Sequence, residues 1–232
     1  MDFPFTKEGH LAAVAAHQEL RDRYPALQDE LSDVHIIFWF PLPPSMIVST
    51  TEISAPGDLK GLKVGCEAYD MEIVEAAGGA PVHVIPPDLY MNLEKGVVDA
   101  SFVGWNHVFA HKLNEVATYY LLQYFGNNCT TCQMRLETWN KLSPEMQGIL
   151  TEVSTEANVL AIEKMLELSE AGRQLAIDSN RTMVTPTPEE AAEWDAMGQL
   201  VVDGWLADME SRGVTSARDM LSDLKKMRDA AY

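Results

Sequence analysis

The stretch from Asp58 to Trp105, DLKGLKVGCEAYDMEIVEAAGGAPVHVIPPDLYMNLEKGVVDASFVGW, constrains this chain more than any other. Its hydrophobic period switches between two and 3.6, and a Gly or Pro stands at each switch. Lys63 to Cys66 reads as a short strand after the Gly61 turn. From Asp70 to Ala77 a helix places Met71, Val74 and Ala77 on one face, and Gly78-Gly79 ends it. Pro81 to Ile85 alternates as a strand and stops at Pro86-Pro87. Asp88 to Lys95 is a helix with Leu89 and Leu93 four apart, and Gly96 closes it. The apolar run Val97 to Val103 suits a strand covered on both faces. Such a βαβαβ order with short connections predicts a parallel sheet with right-handed crossovers.

The flanks extend the pattern. A helix is expected from about Thr6 to Leu31, kinked at Pro25. Val34 to Phe40 is a β-branched and aromatic strand, and Pro41, Pro43 and Pro44 interrupt it before a second extended run, Met46 to Thr51. After Trp105 come a helix to about Val116 and strands Thr118 to Phe125 and Thr130 to Leu136. Ser143-Pro144-Glu145 starts one long helix reaching about Asp178. Thr182 to Thr185 is a short strand. Thr187-Pro188-Glu189-Glu190 fits a capping box opening a helix to about Ser211, and a last helix spans Thr215 to Ala230.

Composition excludes several classes. Lys and Arg number 17 against 35 Asp and Glu, a formal charge of −18, which argues against nucleic acid or an anionic membrane surface. No stretch approaches the roughly 20 apolar residues of a spanning helix. Three cysteines are too few for a disulfide framework. The opening Met1-Asp2-Phe3-Pro4-Phe5 lacks the basic start and apolar core of a signal peptide.

The order DLKGLKV, AAGGAPVHVIPPDLYMNLEKGVVDAS, a helix ending in NEV, strand TYYLL and then WNKLSPEMQGIL resembles the solute-binding proteins of TRAP transporters, the DctP-type family. The resemblance implies an α/β, periplasmic-binding-protein-like two-lobe fold with parallel or mixed sheets. Part of the first lobe would be missing, and a long lobe-bracing helix would lie near 143–178. Residues 1–40 and 129–168 would form the remnant of the first lobe. Residues 41–128 and 169–232 would form the second lobe. The implied role is an extracytoplasmic receptor that captures a small organic acid, aromatic or zwitterionic solute in an interlobe cleft by hinge closure. Implied partners are the TRAP membrane permease subunits, and a homodimer is expected through the surface left by the missing segment. The implied location is periplasmic. With no signal peptide a fragment is expected; a naturally shortened form would act in the cytoplasm as a ligand-sensing or interaction module. Neither enzyme activity nor a cofactor is implied.

The family's carboxylate-anchoring arginine follows G-L-K-[IVL], because a guanidinium fork makes two charged hydrogen bonds to a carboxylate. In GLKVG that position is Gly65, and no arginine stands near Ser45, where a second anchor would fall. Candidate ligand-binding residues are therefore Trp39, Cys66, Glu67, Tyr69, Tyr90, Phe102, Trp105, Asn106, Asn127 and Asn128, near the ends of strands and the crossing segments. This aromatic and amide-rich set suits a neutral, aromatic or zwitterionic solute better than a dicarboxylate. Each aromatic also has a plain core reading. Arg135 and Lys63, the nearest cations in sequence, sit on strand patterns.

Two other constellations compete. His107, His111 and Glu115, each four apart, would share one helix face and suggest a metal-dependent enzyme, although HVFAH lacks the internal Glu of H-E-x-x-H. Cys129-Thr130-Thr131-Cys132 is a C-x-x-C, but in an extended run its cysteines face opposite sides and gain no helix dipole, which favours a structural role.

Overall fold

The computed structural model describes residues 6–126 and 129–231. The chain forms two compact units, one of Pro43–Gly126 with Glu167–Trp205, the other of Asp2–Leu42, Asn127–Leu166 and Leu206–Tyr232.

The first unit holds a six-stranded sheet in the order β4-β3-β5-β2-β6-β8. Its strands are β2 (Ser45–Ser49), β3 (Lys63–Cys66), β4 (Ala80–His83), β5 (Ala100–Val103), β6 (Tyr119–Phe125) and β8 (Thr182–Val184). The expected βαβαβ stretch is present: β3 pairs in parallel with both β4 and β5. The intervening helices are α3 (Ala68–Ala76) and α4 (Leu89–Glu94). Gly78, with φ at 80°, turns the chain out of α3, as the double glycine foretold. The sheet is mixed because β2 runs antiparallel between β5 and β6, whereas β8 pairs in parallel with β6.

The two faces of the sheet differ. On one, Ile47, Val64, Cys66, Ala100, Phe102, Leu121 and Val184 form an apolar core with Ile73, Val74 and Trp194. Trp194 belongs to α8 (Pro188–Ser211), and its indole donates to the Ser54 carbonyl at 2.8 Å. α8 starts with the expected capping box: the Thr187 amide donates to Glu190 at 2.7 Å, and the Glu190 amide donates to the Thr187 hydroxyl at 3.2 Å. On the other face, strand register aligns Val82, Gly65, Ser101, Val48, Tyr120 and Met183 in one row across the sheet. Trp105, the first residue of α5 (Trp105–Ala110), stacks on Tyr120 with centroids 5.4 Å apart and is fully buried. The helix expected to continue to Val116 breaks after Ala110. Lys112 adopts a left-handed φ of 51°, and a short turn, Leu113–Glu115, buries Leu113. No Gly or Pro marks that break, so burial of Leu113 overrides local propensity.

In the second unit β1 (Val34–Pro41) and β7 (Cys129–Arg135) form a two-stranded antiparallel sheet with a bulge at Ile37. α1 (Lys7–Arg23) and α2 (Pro25–Glu30) divide at Tyr24, where Pro25 removes the donor a continuous helix needs. Between β7 and the long helix stands the short α6 (Leu136–Asn140). The long helix α7 (Pro144–Asp178) contributes its residues up to Leu166 here, and the Ser143 hydroxyl accepts the Met146 amide at 3.2 Å. Ser154 and Asn158, one turn apart on α7, donate to the β1 carbonyls of Ile37 and Trp39 at 3.5 and 3.1 Å. Helix i,i+4 and strand i,i+2 repeats are both roughly 6–7 Å, so one helix face can serve alternate strand carbonyls. The last helix, α9 (Ala217–Ala231), and the chain from Leu206 group with this unit, where the sequence reading put them with the central sheet. The reason is local: α9 packs along α1, and Asp223 accepts from Arg23 at 2.6 Å and Tyr24 at 2.8 Å.

Gly172 in α7 is where backbone meets backbone. A Cβ there would lie 2.0 Å from the Trp105 carbonyl oxygen and 3.2 Å from the Phe109 amide nitrogen. Neither atom can yield without moving α5. Gly172→Ala is expected to cost at least about 1–3 kcal/mol, read as a lower urea midpoint, despite alanine's better helix propensity.

Candidate functional site

In open α/β sheets ligands gather where strands deliver their carboxyl ends. For β3 and β5 those ends carry Cys66-Glu67 and Gly104-Trp105-Asn106. Glu67 is the N-cap residue of α3 and is exposed. Asn106 is 8% exposed and folds back over Gly104; a Cβ on Gly104 would meet its Oδ1 at 2.6 Å. The candidate set thus has a nucleus at these two strand ends.

Several other candidates are core. Cys66 and Phe102 belong to the apolar cluster under α3 and α8. Phe102 packs edge-on against Phe125 at 4.8 Å, and Phe125 against Trp194 at 5.2 Å. Burial pushes the Cys66 thiol up to about 11, so it is neutral and no nucleophile. Trp105 presents no surface; its indole donates to the Tyr124 hydroxyl at 3.3 Å. Tyr90, half-buried on α4, donates to Glu115 at 3.0 Å. Trp39 lies in the other unit, beside His17 at 5.7 Å. Asn127, Asn128 and the side chain of Tyr69 lie outside the described residues.

The sequence reading missed Ser101, Tyr124 and Asp70. Tyr120 and Tyr124, an even number of residues apart on one strand, share the face that Trp105 covers, a signal the period of two makes available. Ser101 had no such signal. Its hydroxyl donates to the Gly65 carbonyl at 2.8 Å, and a Cβ on Gly65 would lie 2.9 Å from that hydroxyl and 3.5 Å from Leu89 Cδ2. So the position where the resemblance places an anchoring arginine is not merely lacking a side chain. Ser101 and Leu89 fill the volume a side chain would enter.

Charge at this edge is negative. Asp70, in the first turn of α3, has its carboxyl pushed up to about 6 by burial, with Glu67 adding to the rise. Lys63 is turned away, donating to the Gly96 carbonyl at 2.5 Å.

The two competing constellations do not assemble. His107 and His111 stack side by side, 5.6 Å between centroids with planes 10° apart. Burial, then His111, holds His107 below the usual imidazole value. The helix break takes Glu115 off their face, and its carboxylate is occupied by Tyr90. Among the described residues no three His, Cys, Asp or Glu side chains could hold a metal ion. Cys129 and Cys132 are free thiols on β7, and burial pushes Cys129 up to about 11, the opposite of a redox-active thiolate.

Similarity to known proteins follows the same lines. Residues 38–208 match the family described as bacterial extracellular solute-binding protein, family 7. A monocarboxylate 2-oxoacid-binding periplasmic protein of Nostoc is 28% identical over 174 residues, covering 67% of this chain and 48% of that protein. The chain thus spans about half the length of this curated relative. Among solved structures, a TRAP solute-binding protein from an unidentified marine microbe, specific for aromatic acid ligands, superposes with a TM-score of 0.83 at 22% identity, over 99% of this chain and 72% of that one. A TRAP solute-binding protein from Rhodoferax ferrireducens, in complex with copurified benzoate, gives 0.82 at 21% identity, over 97% of this chain and 70% of that one. These likenesses establish the two-lobe α/β fold.

Two substitutions test the edge. Gly65→Ala is expected to lose about 1–3 kcal/mol, and adding Ser101→Gly should recover part of it, a coupling read from a double-mutant cycle in urea. Asp70 has a folded pKa above its unfolded value, so its contribution is fully present below about pH 4 and lost as pH rises through about 6. Asp70→Asn should therefore stabilise the protein at pH 7.5, on the order of 1 kcal/mol, with the gain vanishing toward pH 4 in thermal unfolding.

Proposed function

Since the chain belongs to the family 7 bacterial extracellular solute-binding proteins, we propose that it is the receptor of a TRAP-type secondary transport system, binding a small organic solute without transforming it. The observation that carries this reading is the family match along residues 38–208, which spans the β3–β5 strand ends. We assign the unit of the six-stranded sheet to the second lobe and the unit of β1 and β7 to part of the first. The periplasm is its proposed location, and TRAP permease subunits its proposed partners, with a homodimer as a further assembly. The family it belongs to is one of solute-binding proteins, which is the support for binding without transformation.

For the solute class, chemistry at the strand ends narrows the choice. Gly65 and Ser101 leave no room for a bidentate cation, and Glu67 and Asp70 make the edge acidic. Any carboxylate would be repelled at the β3 end. A solute's single carboxylate therefore belongs on the Tyr124 side, where the Arg173 charge acts on the hydroxyl. A second carboxylate would have to face the acids. Tyr124, Asn106 and Glu67 offer hydroxyl, amide and carboxylate partners beside a buried aromatic stack. This favours an aromatic monocarboxylate, a 2-oxo monocarboxylate or a zwitterion over a dicarboxylate, in keeping with the aromatic-acid and 2-oxoacid names of the relatives.

The test is a thermal-shift and calorimetric panel of hydroxybenzoates, 2-oxo monocarboxylates, amino acids and dicarboxylates. A true ligand at a hundred times its Kd should add about 2.7 kcal/mol of stability. Tyr124→Phe or Asn106→Ala should weaken that binding about tenfold. Silence across the whole panel sinks the proposal, and a dicarboxylate as the best hit overturns the solute class.

A further inference from the structure

β5 and β6 run parallel, since each is antiparallel to β2 between them. They therefore deliver their carboxyl ends, followed by Trp105-Asn106 and formed by Tyr124-Phe125, to one edge of the sheet. α7 passes over the sheet in the same sense. Gly172 lies against the Trp105 carbonyl at that edge. Farther on, the Ser179 hydroxyl accepts from Asn114 at 2.9 Å, and Thr182 pairs with Tyr119, the first residue of β6. The helix thus runs from the strand ends toward the strand starts, and residues just before Gly172 lie on the strand-end side.

Arg173 follows that pinned glycine. Helical side chains lean toward the helix N-terminus, so its guanidinium is carried back toward the strand ends. There its charge acts on the Tyr124 hydroxyl: burial pushes that phenol up, while the Trp105 hydrogen bond and then Arg173 pull it down. The Arg173 side chain is 34% exposed, with a partly buried stem and an accessible head. Its ion-pair partner among the described residues is Glu170, at 3.8 Å, too long for a hydrogen bond. No hydrogen bond among the described residues occupies the guanidinium fork.

Two buried polar side chains on the same side of Gly172 also lack partners. Ser169, one turn before Arg173 on α7, is 1% exposed, and its Oγ makes no hydrogen bond. The Asn106 side chain, buried beside Trp105, makes none among the described residues. A buried polar group without a partner costs free energy until a ligand or water meets it. A fork of N–H donors beside a hydroxyl and an amide is the set that one carboxylate satisfies.

We propose that Arg173 anchors the solute's carboxylate, a guanidinium delivered by α7 to the β5 and β6 ends where β3 supplies none. The proposal rests on the reading of the chain as a solute receptor and names the group that holds its solute. Glu170 does not compete strongly, because an exposed ion pair at that distance is weak. Two parallel charged hydrogen bonds to a bound carboxylate are stronger and replace it. Lysine could not do the same, since it lacks the planar fork.

The test is calorimetry of the full chain with benzoate, 3-hydroxybenzoate and phenylpyruvate, each against its uncharged amide. The unaltered chain should bind at least one carboxylate about tenfold or more tighter than its amide. In Arg173→Gln that ratio should fall about tenfold or more, and Arg173→Lys should fall between the two. Glu170→Gln, which leaves the guanidinium in place, should tighten the carboxylate a few-fold. A merely structural arginine would weaken carboxylate and amide alike and leave their ratio intact. If a carboxylate binds the unaltered chain and Arg173→Gln keeps the same ratio, the anchor is overturned and the receptor reading stands. If none of the three carboxylates binds, the anchor also falls; the receptor reading falls with it only when the wider solute panel is silent too.

Discussion

One contact organises the unit that carries the candidate site: the backbone of α7 at Gly172 laid against the backbone at the start of α5. Any side chain at that position would stand the helix off the sheet. With none, the helix closes over Trp105, which is pressed on Tyr120 and satisfied by the Tyr124 hydroxyl. The carboxyl end of β5 is thereby held between a stacked aromatic pair and a helix, with Asn106 folded over Gly104 beside it. Rigid strand ends of this kind suit a binding site, where the work is holding groups in place.

The neighbouring strand shows the same economy of space used differently. At Gly65 the absent side chain makes room for Ser101, and their hydrogen bond closes the gap between β3 and β5. Two glycines in one unit thus set its chemistry. Gly172 admits a helix, and Gly65 admits a hydroxyl in place of the cation that the resemblance leads one to expect. The acids at Glu67 and Asp70 then meet no compensating charge from β3 itself, and burial raises the Asp70 pKa accordingly.

Legibility in the sequence was uneven for physical reasons. Elements with strong period and explicit stops, such as the double glycine after α3, the Ser143-Pro144 start of α7 and the Thr187 capping box, were readable because capping and turn chemistry act within a few residues. The break after Ala110 was not, since it is dictated by burying Leu113 rather than by a local signal. Among site candidates, residue type alone could not separate lining from core. Phe102, Trp105 and Cys66 have the composition of a ligand pocket and the burial of a hydrophobic core. Glu67 stays exposed at its strand end, Asn106 is as buried as Phe102 but polar, and β6 sets the Tyr124 hydroxyl against the Trp105 indole.

By itself the sequence determined the order of helices and strands, the parallel β3–β4–β5 unit, the acidic character and the family, because each is written in periodicity, punctuation or an ordered run of motifs. Only the tertiary structure decided that β2 enters the sheet antiparallel, that α9 joins α1, and that Ser101 occupies the space beside Gly65. Those depend on which residues far apart in the chain share one volume, and no local rule of a few residues carries that information.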